Sequence, residues 1–498
     1  MKAMAKSGNY TINRNVRLNE EQEAKKKSVL KESKEAIKEF FLETTAHGFA
    51  RAASSYSRLA RSLWILLLIV AFSFCFYHNS VSIGKYFNFP AKTDVRFSDA
   101  WFSIKYPAIT LCNINNLKKS SFFVKTVVKE LNKTRDAFGD TSNKRRENLE
   151  RVLYFMSGYK EEQVKDFGHQ AKDMIIACNA PGRWAQYPCD YRNFTWFYDQ
   201  IHGNCYTFNA ARNQSEPVYI EDAGHRHGLH LTLFVEAEEY WSYLSDSLGF
   251  VISIHDREQL PFPAETGYFI SPGMATSVAL QSKVLKRLPW PYDHKECETK
   301  RGIPGVTPSN TIYSEEGCRK SCVARMMLDK CKCVSLLYRL KPSCNPFNKT
   351  QGSCIEDVLR SRSKESMSSC NCPPACREDV FTTSMSSSVW PTRSYMSNVL
   401  NTLPQGSQAQ KVVTNLSSAR ENMAHVMVYF PTLMQESIVQ KPAYQIESLL
   451  GDIGGQMGLF IGISVLTLVE FIALLWDLIA IVIFKNKKNT AAPDGEKP

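Results

Sequence analysis

Two apolar stretches constrain this chain more than anything else in it. From Ser62 to Gly84 there is no Asp, Glu, Lys or Arg, and the run LWILLLIVAFSFCF is almost wholly apolar. Near the other end, Ile446 to Phe484 is again dominated by apolar residues. About 20 such residues cross a hydrocarbon core of about 30 Å as a helix, so both stretches are long enough to span. The first lies behind a long polar stretch without a cleavage-site pattern, so it reads as an uncleaved anchor and not a removed signal. A length of 498 residues would otherwise suggest several soluble domains.

Flanking charge sets the orientation. Lys25, Lys26, Lys27, Arg51, Arg58 and Arg61 precede the first span, and Lys485, Lys487 and Lys488 follow the second. The positive-inside rule places both termini in the cytosol and roughly residues 84–444 outside, in a plasma-membrane protein. Fourteen of the 15 cysteines fall in that exterior stretch, where an oxidising compartment favours disulfides. Five N-x-S/T sequons, at Asn132, Asn193, Asn213, Asn348 and Asn415, fall there as well and are candidate glycosylation sites. The formal charge of +12 points to anionic lipid headgroups rather than nucleic acid.

The chain divides into a cytosolic region (1–61), a first transmembrane helix (62–84), an exterior domain (85–444), a second transmembrane helix (445–484) and a cytosolic tail (485–498). Residues 115–175 read as helix-rich, and Lys144-Arg145-Arg146 within them as a solvated basic face. Residues 203–290 alternate strand-like runs with Gly, Pro and Asp, which predicts an antiparallel sheet. His425 to Leu433 predicts one more strand. Residues 297–376 hold ten of the exterior cysteines. Cys318 and Cys322 share a helix face, and Cys331, Cys333, Cys370, Cys372 and Cys376 offer partners. In an oxidising compartment this predicts a pair of antiparallel helices cross-linked in rungs, with no metal site. Isolated histidines such as His225, His227 and His255 have no metal-ligand spacing and read as structural or solvated.

The second span carries the chemistry. Its 39 residues would make a straight helix nearly twice the thickness of the hydrocarbon core, so it must project, tilt or break. It contains Glu447, Asp452, Glu470 and Asp477, and carboxylates are costly in lipid, so they should face protein or water. Asp452 and Glu470 are 18 residues apart, five helical turns, and Asp477 is seven further on. An unbroken helix would put all three on one face with Gly455 and Gly462, as the wall of a cation pore would require. If the helix unwinds at Gly462-Ile463-Ser464, the carbonyls there can line a constriction, but the helical phase shifts. Two helices cannot enclose a pore, so a symmetric oligomer follows.

These residues resemble the degenerin / epithelial sodium channel / acid-sensing channel superfamily over nearly the whole chain. The matching motifs are His47-Gly48, YPAITLCN (Tyr106 to Asn113), GNCYTFN (Gly203 to Asn209), the CNCPPAC run ending at Cys376, Trp390-Pro391, and GDIGGQMGLFIGIS (Gly451 to Ser464). The resemblance implies an α+β membrane protein with two transmembrane helices flanking a large disulfide-rich exterior. That exterior would comprise a β palm and β-ball (about 85–114, 203–290 and 425–433), a helical finger (about 115–190), a knuckle, and a Cys-rich thumb (about 297–376). It implies a homotrimer, with mixed trimers as a variant, that conducts sodium, is blocked by amiloride and needs no cofactor. It implies the pairs Cys112–Cys205, Cys178–Cys189, Cys297–Cys376, Cys318–Cys372, Cys322–Cys370, Cys331–Cys354 and Cys333–Cys344. Gly462, Ile463 and Ser464 stand at the family's selectivity tripeptide and His47-Gly48 at its gating motif. Ser448 stands where small side chains favour closure, and Phe89, Trp290 and Tyr292 at its wrist.

The stimulus follows from the departures. Acid-sensing members carry histidines where this chain has Pro90-Ala91, and a palm lysine near Asp222. The YFNFPAKT stretch looks more like the peptide-gated, bile-acid-sensitive and other invertebrate-like branches, and an extracellular neuropeptide of the RFamide type is the leading expected ligand. Constitutive or proton-modulated current is the alternative. Glu236, Glu238 and Glu239 are acidic candidates for a cationic peptide, against a solvated loop. A non-conducting two-span receptor is the alternative from another class, and the acidic second span counts against it. No G-x-S-x-G, H-E-x-x-H or P-loop is present, so an enzyme is not expected.

Overall fold

A computed structural model describes residues 26–99, 103–133, 142–182, 186–211, 216–292, 296–299, 301–303, 307–338, 340–361 and 370–487. The chain forms two compact units, one of Lys92–Lys441 and one of the two chain ends, Met1–Ala91 with Pro442–Pro498.

The unit Lys92–Lys441 is built on two sheets. The first joins β1 (Ala91–Asp99), β4 (Ile175–Ala180), β5 (Tyr187–Cys189), β9 (Leu229–Phe234), β12 (Met274–Lys286), β15 (Arg377–Val389), β16 (Met423–Tyr429) and β17 (Met434–Pro442). Its order is β1-β17-β12-β16-β9-β4-β5, with β15 also paired to β12. The second runs β11-β10-β3-β7-β6, from Tyr268–Ile270, Phe250–His255, Ala108–Asn113, Gly203–Phe208 and Phe194–Asp199. Two short ribbons, β2 (Ile104–Lys105) with β8 (Tyr219–Ile220) and β13 (Arg301–Ile303) with β14 (Thr307–Ile312), complete the strands.

The main core lies between the two sheets. β3 and β7 are buried along their whole length, and their buried Thr110 and Thr207 hydroxyls meet each other at 2.8 Å. β12 instead buries every second residue (Thr276, Val278, Leu280, Ser282, Val284), the period of a strand with one covered face. It takes β16 and then β17 in parallel along one edge and all of β15 antiparallel along the other. Tyr106 is fully buried in this core; its hydroxyl donates to the Val428 carbonyl (2.7 Å) and accepts from the Leu229 N–H (3.3 Å). A second core, with Leu117, Phe123, Val127, Val152, Leu153 and Trp241, holds the helices Phe122–Lys133 and Ser142–Met156. Arg145 there is ion-paired to Asp246 at 2.6 Å.

Three sequence expectations need correction. The strand placed at residues 425–433 is β16, which ends at Tyr429, and a second strand, β17, follows it. β4 and β5 belong to the large sheet, although the finger boundary at about 190 encloses them. The cysteine-rich segment is not a ladder between two helices. Only Cys331–Cys354 joins the helix Glu315–Cys331 to the helix Lys349–Arg360. Cys318–Cys372 and Cys322–Cys370 tie the first of these helices to a non-helical arm, and Cys297–Cys376 closes its base. Cys333–Cys344 closes a loop, and Cys112–Cys205 and Cys178–Cys189 bridge β3 to β7 and β4 to β5.

In the unit of the chain ends, Arg58–Phe87 is one 30-residue helix with mean hydropathy 2.2 over its most apolar window. Almost none of that window is buried within the chain, as lipid-facing side chains require.

Candidate functional site

The second apolar stretch breaks. Ile446–Ile461 is one helix and Val465–Lys487 another, and Gly462, Ile463 and Ser464 between them are not helical. Gly462 ends the first helix with φ +64°, a left-handed conformation that glycine adopts without penalty. Its amide donates to the Gly458 carbonyl (3.1 Å), and the Ile463 amide donates to the Met457 carbonyl (3.2 Å). Ser464 starts the second helix. Its hydroxyl accepts from the Thr467 amide (3.3 Å), and the Thr467 hydroxyl accepts from the Ser464 amide (3.2 Å), the reciprocal pattern of a capping box. Twenty-three residues from Val465 give about 35 Å of helix, enough to span alone.

The break dissolves the expected stripe. Asp452 and Glu470 sit on different helices, so five turns of shared phase no longer align them. Asp452 is exposed and accepts a hydrogen bond from the Tyr444 hydroxyl. Glu470 has partners from the same chain: its Oε2 accepts from the Thr44 hydroxyl (2.9 Å) and the Thr45 amide (3.1 Å). Glu470 and Asp477 do share one helix, seven residues apart, and Asp477 is exposed.

The segment before the first helix lies against the break. The His47 amide donates to the Ile461 carbonyl (3.1 Å), and a Cβ built on Gly462 would fall on the His47 ring. The Thr45 and Thr467 hydroxyls meet at 2.8 Å. Gly48 has φ +88°, and a Cβ there would press on Leu68. Aromatic rings seat the segment: Phe40 on Phe471 (4.9 Å), Phe41 on Phe49 (5.3 Å), and Phe49 on Phe72 (5.9 Å). Thr44, Thr45 and Thr467 were missed by sequence reasoning. The Ser464-x-x-Thr467 spacing was the available signal for the last of them.

The first half-helix packs on Arg58–Phe87 through Phe74 and His78 on Phe460 (6.1 and 5.7 Å), and Gln456 donates to the Ser82 hydroxyl at 3.1 Å. Ser448, Gly451, Gly454 and Gly455 are exposed, and a Cβ added at any of these three glycines would meet nothing within 4 Å. Cys75 carries no disulfide and is buried. Phe89 follows the first helix with φ +44°. Trp290 is exposed just after β12, and Tyr292 closes a turn on the Pro289 carbonyl (3.2 Å).

Within Lys92–Lys441 the acidic candidates separate. Glu236 is 4% exposed and is not available to a ligand. Its two carboxylate oxygens accept from Lys118 Nζ and His169 Nδ1, each at 2.6 Å. Burial pushes its pKa up, but His169 and Lys118 overcome this and hold it below the usual carboxylate value. Glu239 accepts from the Ser120 amide (2.8 Å), and Glu238 is exposed. Asp222 lies 3.9 Å from His227 Nδ1. His255 is buried between Thr110 and the Asp256 carbonyl, and burial pushes its pKa down to about 4. Among the sequons, Asn193, Asn348 and Asn415 are exposed; the side chain of Asn132 and all of Asn213 lie outside the described residues.

Residues 40–474 match the family model described as amiloride-sensitive sodium channel. Acid-sensing ion channel 4 of Rattus norvegicus is 30% identical over 447 residues, 87% of this chain and 78% of the relative. Epithelial sodium channel subunit gamma of Pan troglodytes is 27% identical over 480 residues, 88% of this chain and 79% of the relative. Degenerin mec-10 of Caenorhabditis elegans is 30% identical over 340 residues, 67% and 45% of the two chains. With most of its length matched, two helices fit to cross a membrane and seven disulfides between them, the chain belongs to the amiloride-sensitive sodium channel family, whose members are ion channels and not enzymes.

Proposed function

We propose that this chain is a subunit of a sodium-selective, amiloride-sensitive plasma-membrane channel opened by an extracellular neuropeptide. The observation that carries the reading is the three-residue break at Gly462–Ser464 inside an otherwise helical, apolar stretch. Non-helical backbone at membrane depth is tolerated where it lines a water-filled path, and carbonyls exposed there can replace the hydration shell of sodium. Three copies enclose that path, as a homotrimer or with sister subunits, because one chain supplies too few helices. Gly462, Ile463 and Ser464 form the constriction. Asp452 and the open face at Ser448, Gly451 and Gly455 line the approach on one side, and Asp477 the exit on the other. Glu470 acts by holding the His47-Gly48 segment.

Both termini lie in the cytosol, and 85–444 is the exterior sensor, with palm, β-ball, finger, knuckle and thumb. Phe89, Trp290 and Tyr292 couple that sensor to the pore, and Asn132, Asn193, Asn213, Asn348 and Asn415 carry glycans. Peptide gating is supported by Pro90-Ala91 and Asp222, which stand where the family resemblance leads one to expect the histidines and lysine of acid-sensing members.

The test is a recording from oocytes expressing the chain. A panel of amidated neuropeptides at constant pH should evoke an amiloride-blocked sodium current, and substituting Ser464 should change the sodium-to-potassium permeability ratio. Silence to every peptide, with robust current at rest or on acidification, would replace the stimulus with constitutive or proton-modulated opening. An unchanged ratio with normal surface expression would remove Ser464 from the path.

A further inference from the structure

We propose that Thr467 is a positioning residue for ion selectivity: its hydroxyl fixes the backbone of Ser464 and ties the break to the segment before the first membrane helix. The inference rests on the reading that Gly462–Ser464 lies in the conducting path.

Thr467 is fully buried, although its neighbours Leu466 and Leu468 are 73% and 47% exposed. The side chain is therefore covered locally, on one face only. Its partners account for that cover. The Oγ1 accepts from the Ser464 amide at 3.2 Å, lies 3.2 Å from the Ser464 hydroxyl, and lies 2.8 Å from the Thr45 hydroxyl. A hydroxyl offers one donor and two acceptor positions, so these three contacts saturate it. Glu470, three residues on and hence on the same helical face, takes the Thr44 hydroxyl and the Thr45 amide. Thr467 and Glu470 thus grip consecutive residues of the entering segment, but only Thr467 also holds the break.

The geometry gives the hydroxyl a role distinct from the packing of the methyl group. Valine has nearly the shape of threonine and cannot accept from the Ser464 amide. That amide then loses its acceptor, and the turn that aims the carbonyls of Gly462 and Ile463 is freed. Serine keeps the hydroxyl and loses the methyl. If Thr467 served packing alone, Thr467→Ser would be the damaging change and Thr467→Val the silent one. The positioning role predicts the reverse.

The experiment measures reversal potentials in mixed sodium and potassium solutions, with surface protein quantified by biotinylation, for the full-length chain. Thr467→Val should change the sodium-to-potassium permeability ratio by about twofold or more, the scale of one net hydrogen bond. Thr467→Ser should leave the ratio within error of the parent. Ser464→Ala is recorded beside them. A shift for Ser464→Ala with none for Thr467→Val overturns the positioning role and leaves the path intact. No shift for either, at normal surface levels, overturns the path itself and this inference with it. If Thr467→Val does not reach the surface, Thr45→Val, at an exposed position, removes the partner hydroxyl instead. A shift of the permeability ratio in the same direction as that of Ser464→Ala supports the proposal, and no shift overturns it.

Discussion

Replacing Glu236 with alanine should destabilise the domain Lys92–Lys441 severely, for reasons visible in its surroundings. Glu236 holds φ +58°, a conformation in which few non-glycine residues rest, and it is buried with His169, which is 1% exposed. The carboxylate binds Lys118 and His169 at 2.6 Å each, and His169 in turn contacts Asn115 at 3.0 Å through its other nitrogen. Removing the acid strands the buried His169 ring and leaves Lys118 only Asp173, at 3.5 Å. Breaking a buried pair in this way costs about 3–5 kcal/mol. Glu236→Gln retains an acceptor oxygen and should cost less, about 1–3 kcal/mol.

The pH dependence has a definite sign. The folded carboxyl lies below its usual value of 4.5, so its contribution is complete above that value and is lost as pH falls through the lower folded value. Thermal melts of the detergent-purified chain, followed by tryptophan fluorescence from pH 7 to pH 3.5, would measure both effects. Trp241 is 5% exposed, with its amide 3.4 Å from Asn115 Oδ1, and serves as a local reporter. The parent should lose stability on acidification, and Glu236→Ala should start lower and follow a flatter curve. A loss under about 1 kcal/mol, with an unaltered acid limb, would refute a structural role for the triad.

The other measurements are simpler. Cys331→Ser with Cys354→Ser removes the one covalent link between the helices Glu315–Cys331 and Lys349–Arg360, and should lower stability by about 2–4 kcal/mol, read as a lower melting temperature. Asn193, Asn348 and Asn415 are exposed, so each Asn→Gln change should raise electrophoretic mobility by one glycan's worth, and enzymatic deglycosylation should abolish the difference.

How much of this was legible in the residues depends on how local the cause is. β3, with its β-branched and apolar residues, announces itself as a strand. β15 does not: REDVFTTSMSSSV has no apolar alternation, and it is a strand because its thirteen consecutive residues pair with β12. β17, with its Gln, Glu and Lys, is likewise held by β12 and not by its own pattern. Tertiary pairing overrides propensity in both. The cysteines gave an oxidised exterior from number and position alone. Spacing suggested helix-to-helix rungs because Cys318 and Cys322 share a face, but it carried no information that their partners lie on a non-helical arm. Glu236 looked like one of three surface acids, and only the fold brings Lys118 and His169, 118 and 67 residues away, onto it.

The second apolar stretch shows where a periodicity argument stops. Eighteen residues between Asp452 and Glu470 make five turns only if every intervening residue is helical. The same tripeptide that makes the stretch a candidate filter removes that premise, because Gly462 adopts φ +64° and the next helix is capped afresh at Ser464. A filter and a continuous carboxylate stripe are therefore alternatives in one chain. The structure takes the broken arrangement and gives Glu470 to Thr44 and Thr45. This also resolves the excess length. Thirty-nine residues overshoot a bilayer as one rod, but a 16-residue and a 23-residue helix, joined by a bend, can divide the approach and the crossing between them. The bend is stable because its exposed backbone has assigned partners. His47 satisfies the Ile461 carbonyl, and Thr467 satisfies the Ser464 amide, so two of the polar groups freed by unwinding stay bonded.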